Sequence, residues 1–166
     1  MRTHATPEFQ APLGPGVFVA LERARASLAE AELAATPAER YVAAHIAALR
    51  TAAAVLAGRS RPSGRRGQRD AWTMLARVTP ELGEWAAFFA AGAGKRAAAE
   101  AGLRQAVTDR EAADLVRDAE RFLADVERLL ELPHQPPLPR DGDLLDEPGE
   151  VSRAAVPQPR ARDTAA

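Results

Sequence analysis

Residues 39–57, Glu39 through Ala57, carry the most regular helical pattern in the chain, and any fold must bury the face they define. Val42, Ile46, Leu49, Ala53 and Leu56 step by three or four positions, which places one apolar stripe along a helix. At about 100° per residue from Leu49, His45 falls about 40° off the stripe centre and Arg40 about 180° away. His45 is therefore expected to point inward or into a subunit interface, and Arg40 outward near the helix start. The two lie about 140° apart on an ideal helix, so they meet on one substrate only through a distorted first turn or a partner chain. Tyr41, about 80° from Leu49 on the His45 side, is expected to line the same cleft as His45.

The rest of the chain reads as helices around this one. A leader over residues 1–16 contains Pro7, Pro12 and Pro15 and no apolar run of signal-peptide type. A first helix is expected from Val17 to Ala34, with Phe18, Leu21, Ala24, Leu28 and Ala31 as its buried stripe. Thr36-Pro37-Ala38-Glu39 is a capping box with proline at the first helical position, and the short break predicts an antiparallel hairpin. Gly58 is expected to end the second helix. Residues 59–69, with five arginines and nothing apolar, read as a flexible loop. A short helix follows over residues 71–78, capped by Asp70 and burying Trp72, Leu75 and Val78. Thr79-Pro80-Glu81 restarts a helix carrying Leu82, Trp85, Ala86 and Phe89. Gly92-Ala93-Gly94 is expected to break it, leaving a short basic-led turn from Lys95 to Ala101 before Gly102.

Thr108-Asp109-Arg110-Glu111 is a second capping box, opening a long helix over 109–132 that Pro133 stops. Ala112, Leu115, Ala119, Phe122, Val126 and Leu129 alternate spacings of three and four along it, so it must pack down most of a bundle. Residues 133–166 hold seven of the thirteen prolines and read as a disordered tail. No strand pattern and no repeat is present. The expected fold is all-α, an up-and-down bundle of four to five helices over 17–132, with Trp72, Trp85, Phe88, Phe89 and Phe122 filling its core.

Composition narrows the chemistry. The chain has no cysteine, which excludes disulfides and thiolate metal sites and suits a reducing cytoplasm. Its formal charge of −1 supplies no strong overall field for nucleic acid. The most hydrophobic window, Leu82 to Gly94, is too short to span a bilayer, so no membrane contact is expected. His4, His45 and His134 fall in three different segments, so no metal and no cofactor is expected.

The capped helix reading Glu39-Arg40-Tyr41-Val42-Ala43-Ala44-His45, and the long last helix with Glu111 to Leu115 and Ala119 to Leu123, resemble the central and closing helices of the HEPN superfamily. The segment Trp85 to Arg96 is similar to a small actinobacterial branch of HEPN-like proteins. The likeness covers residues 17–132. It implies a helical bundle, usually a homodimer, associated with RNA or nucleotides. In many members it is a metal-independent ribonuclease built on Arg-x(4–6)-His; other members are non-catalytic binding or neutralising partners, often beside a nucleotidyltransferase.

Arg40-x4-His45 fits that motif, and so does Arg128-x5-His134 at the end of the last helix. Two readings of the first pair stand side by side. In one, His45 is the acid/base of RNA cleavage and Arg40 forks onto the phosphate. In the other, His45 is a core or interface histidine and Arg40 a solvated first-turn residue, in a non-catalytic dimeric module that binds a protein partner. Lys95 and Arg96 are candidate anion contacts beside a helix start, but Phe89 and Arg96 occupy the positions where a P-loop needs glycine and Ser/Thr. Arg65 and Arg66 in the arginine loop are candidate contacts to a nucleic-acid backbone, without an aromatic partner for base stacking.

Overall fold

The computed structural model describes residues 12–59, 69–103 and 105–133, with the side chains of 69 and 70 left aside. These residues form five α-helices: α1 (Pro15–Leu33), α2 (Pro37–Arg59), α3 (Arg69–Val78), α4 (Gly83–Glu100) and α5 (Asp109–Leu129). A 3₁₀ turn, Pro80–Leu82, leads into α4. No described residue is in a strand, so the bundle is all-α as expected. The arginine loop, apart from Arg59 and Arg69, lies outside the described residues. So do His134, most of the expected leader and nearly all of the expected tail.

Helix α2 is the axis, packing against the other four helices. Its start is the expected reciprocal cap, in which Glu39 N donates to Thr36 Oγ1 at 3.2 Å and Thr36 N donates to Glu39 Oε2 at 3.1 Å. The register of its buried face differs from expectation. Ala44, Ala48, Ala52, Ala54 and Val55 are fully buried with Tyr41, His45, Ala47 and Thr51, while Ala53 is exposed and Val42, Ile46, Leu49 and Leu56 are half-buried. The face is centred on Ala48, about 100° from the stripe the large residues describe. A helix enclosed by four neighbours buries its small residues where backbones approach most closely. Its bulky residues then fan out over the flanks. Among the described residues, α2 rather than 82–94 is the one helix long and apolar enough to cross a membrane, and it is the core helix of this bundle.

Helix α1 starts two residues earlier than expected, with Gly14 at the N-cap and Pro15 at the first helical position. Phe18 is largely exposed and Ser27 takes a place in the interface with α2, because Arg50 reaches across to Ser27 Oγ and to Arg23 O. Arg25 of α1 pairs at 2.5 Å with Glu127 of α5, whose side chain is fully buried. Such a pair fixes how the two helices register, since stranding either charge in the interior is costly.

Helix α4 runs straight through Gly92 and Gly94, so the expected break there does not occur. The helix ends instead at Gly102, whose φ of +70° lets Leu103 N reach back to Ala98 O at 3.1 Å. Helix α5 carries the expected capping box and the expected seam, with Ala112, Leu115, Ala119, Phe122 and Val126 all buried. It stops at Leu129, short of Pro133: Glu131 adopts φ +56° and Leu132 N closes on Glu127 O at 2.8 Å. Trp72, Phe89 and Phe122 are buried and Trp85 half-buried in the aromatic core, but Phe88 is 46% exposed, contrary to its expected place there.

Candidate functional site

Helices α2 and α4 touch at Gly92. A Cβ at that position would stand 3.0 Å from Tyr41 Oη and 3.5 Å from His45 Cδ2, so two α2 side chains rest on bare α4 backbone. One turn earlier, the Phe89 carbonyl lies 2.9 Å from His45 Nε2. A carbonyl only accepts, so Nε2 carries the proton and donates it. The ring is also held edge-on by Trp72 and Phe89, each with its centroid 6.1 Å away. His45 is 1% exposed, and its Nδ1 is buried without a hydrogen-bond partner. Burial pushes its pKa below the usual 6.5; the Phe89 carbonyl opposes this, and smaller contributions come from Arg96 (downward) and Glu100 (upward). At neutral pH the ring is uncharged, with its only proton fixed to the α4 backbone.

A groove of about 600 Å³ opens above this floor, between α2, α4 and α5. Tyr41 lines it beside His45, as its angular position predicted. Phe88, Ala91 and Lys95 of α4 form one side. Asp114, Arg117, Asp118 and Arg121 of α5 form the other, with Leu115 between them. Lys95 Nζ is paired to Glu111, which also accepts from Thr108 N at 2.8 Å and Thr108 Oγ1 at 3.0 Å in the α5 cap. The lysine and then the threonine hold the Glu111 carboxyl down at about 2, and the same pairing raises the Lys95 pKa. Burial raises the Tyr41 pKa against the opposing pull of Lys95, so the phenol keeps its proton. Arg117 pairs with Asp114, and Arg121 with Asp118 at 3.5 Å. The groove's three cations are thus each matched by a carboxylate.

Arg40 does not line this groove. Its Nη2 reaches Ala34 O at 3.4 Å in the α1–α2 turn, so Arg40 and His45 are not brought together within one chain, in keeping with their angular separation. Lys95 and Arg96 sit in the interior of α4, not at a helix start, which removes the free backbone N–H groups on which an anion site there depended. Lys95 faces the groove, whereas Arg96 turns to Glu100 at 3.6 Å. Arg65 and Arg66 lie outside the described residues. Among the described residues no group of three histidine or acidic side chains is placed to hold a metal ion.

Sequence reasoning missed the α5 wall, Asp114, Arg117, Asp118 and Arg121. Its signal was present: opposite charges three and four residues apart on the face opposite a strict apolar seam. A family model, SAV_6107-like HEPN, matches residues 31–127, more than half of the chain, and spans α2 through nearly all of α5. No curated protein and no solved structure matches the chain.

Proposed function

The chain belongs to the HEPN superfamily, through the SAV_6107-like HEPN family, and from that premise we propose that it is a binding module that does not cleave RNA through Arg40 and His45. One observation carries the reading: the single proton of the buried His45 ring is donated to the Phe89 carbonyl. A general acid or base must reach the proton it moves, directly or through one water. His45 Nε2 is committed to backbone, Nδ1 is sealed off, and the arginine that would clamp phosphate is held at the α1–α2 turn. The working surface on this reading is the groove above, where partner side chains meet Tyr41, Phe88 and the α5 wall.

RNA or a nucleotide is the second ligand class the same groove supports, because two aromatic rings, Tyr41 and Phe88, stand beside Lys95, Arg117 and Arg121. A phosphate must displace carboxylates from those cations, so binding of this kind is weak and steeply salt-dependent. The test is incubation of the purified protein with mixed RNA in EDTA, beside His45→Ala and Arg40→Ala variants checked for folding by circular dichroism. The expected result is intact RNA in all three, with gel-shift binding that Lys95→Met reduces. Cleavage by the wild type that both substitutions abolish would overturn the non-catalytic reading.

A further inference from the structure

We propose that the outward face of α1 is a docking face for a basic amphipathic helix of another protein. Helix α1 is lined for contact on two sides. Val17, Leu21, Ala24, Ser27 and Ala31 bury one face against the bundle. Phe18, Val19, Glu22, Ala26, Ala29 and Leu33 fall within an arc of about 100° centred opposite that face. All six are exposed, Phe18 by 47%, Val19 by 49% and Leu33 by 87%. Among the described residues, Phe88 and Leu103 are the only other large apolar side chains so exposed, so α1 is where the bundle shows most of its apolar surface to water. A helix that is apolar on opposite sides is normally covered on both, and a contiguous apolar patch marks an interaction surface. The family model begins to match at residue 31, so nearly all of this face lies outside the shared HEPN region and is this chain's own feature.

Shape and charge together define the occupant. The face runs about 22 Å from Phe18 to Leu33, roughly four turns of helix. Its bulky residues stand at the ends and its alanines in the middle. That leaves a shallow saddle for the large aliphatic side chains of a helix laid along it. Glu22 is the one charge inside the arc, and its side chain is 72% exposed. Its Oε1 accepts from Arg25 at 2.6 Å, but Arg25 is shared with Glu127, and Oε2 of Glu22 accepts no hydrogen bond among the described residues. A bilayer would have to strip water from this carboxylate in the middle of the face. The same arc on a second copy holds no cation to meet it. A lysine or arginine on an incoming helix satisfies it. Along the borders the charges cancel, Arg23 beside Glu30 on one and Arg25 beside Glu32 on the other, so Glu22 sets the preferred sign. Neither His45 nor the groove enters this inference, so its failure would leave the non-catalytic reading standing.

The experiment titrates the full chain into two fluorescein-labelled synthetic helices of about 18 residues, long enough to cover the face, and reads anisotropy. Both carry the same leucine stripe; one has arginines along its polar borders and the other glutamates. The arginine helix should bind, and the glutamate helix at least about tenfold more weakly. Leu33→Asp should weaken the arginine helix at least about tenfold, because it sets a charge among the apolar contacts. Glu22→Gln should leave binding in place but shrink the preference between the two helices severalfold. Leu103→Asp makes the same kind of change at an exposed position away from this face and should leave binding as in the wild type. These positions are exposed, so the fold should hold, and circular dichroism checks it. The proposal falls if neither helix binds, if both bind equally, or if Leu33→Asp and Leu103→Asp behave alike. It also falls if Leu33→Asp dissociates a dimer in sedimentation velocity, which would make the occupant a second copy. Binding of the wild type to phosphatidylcholine vesicles that Leu33→Asp abolishes would make the occupant a lipid surface and overturn it as well.

Discussion

The floor and the outer wall of the groove are built on opposite principles. On the floor, His45 and Tyr41 are buried, His45 is bonded to the α4 backbone, and the Tyr41 hydroxyl fits against a glycine with no room to spare. On the wall, α5 exposes alternating arginines and aspartates whose partners lie one turn away on their own helix and are open to water. Ion pairs in water exchange partners at little cost, whereas a buried hydrogen bond that loses its partner costs the full desolvation of the stranded group. A histidine that satisfies the letter of a catalytic motif therefore serves here to join two helices. The adaptable chemistry sits on a helix that no motif marks.

That contrast breaks most decisively in the aromatic residues that join the two regions. Phe89 is fully buried and stacks at 5.3 Å on Trp72 and 5.8 Å on Trp85, while its neighbour Phe88 looks into the groove. Phe89→Ala should cost about 3–5 kcal/mol in urea unfolding and Phe88→Ala well under half of that. Equal losses would mean that Phe88 is core after all, as its place in the sequence suggested.

His45 sharpens the comparison through pH. His45→Ala removes a ring from a tight interface and strands a carbonyl, and should cost about 2 kcal/mol. Because burial holds the folded pKa below 6.5, the unfolded chain takes up a proton first as the pH falls. The His45 contribution is complete above about 6.5 and declines as the pH falls toward the lower folded value. Glu111 on the wall, held at about 2 against an ordinary 4.5, contributes above 4.5 and loses that contribution between 4.5 and 2. Stability measured against pH should thus begin to fall below about 6.5 through His45 and fall further below 4.5 through Glu111. His45→Gln should abolish the decline that begins below 6.5, and Glu111→Gln the added decline below 4.5. A wild-type profile flat from pH 7 to 5 would remove His45 from the structural role given to it.

The regions also differ in how far the sequence revealed them. Helix α5 was legible as an element and in register because its seam alternates strictly and its capping box is explicit; its last turn was misplaced, where Glu131 closes the helix before Pro133, and its charged wall was missed. Helix α2 was legible as an element but not in register, since alanines carry its burial and offer little hydrophobic contrast to orient it. The separation of Arg40 from His45 followed from angles alone. The groove did not, because Tyr41, Phe88, Lys95 and Arg121 come together only through the packing of three helices. The Gly92-Ala93-Gly94 segment misled for a related reason. Two glycines weaken a helix locally, and local preference gave way to the contact that a bare backbone permits.

The two glycines of that segment offer the smallest and most discriminating prediction. Gly94 is exposed, with nothing within 4 Å of where a Cβ would stand, so Gly94→Ala should stabilise the protein by about 1 kcal/mol through helix propensity alone. Gly92→Ala gains the same propensity, but its methyl must push back the Tyr41 hydroxyl, 3.0 Å away, while it meets the His45 ring at ordinary contact distance. Its net effect should fall short of Gly94→Ala, and Tyr41→Phe in the same background should recover much of the difference, because the hydroxyl is the atom in the way. Thermal unfolding of the four proteins would measure this. If both alanines stabilise alike, the α2–α4 crossing has slack, and the floor of the groove is not the rigid element that sets it apart from the wall.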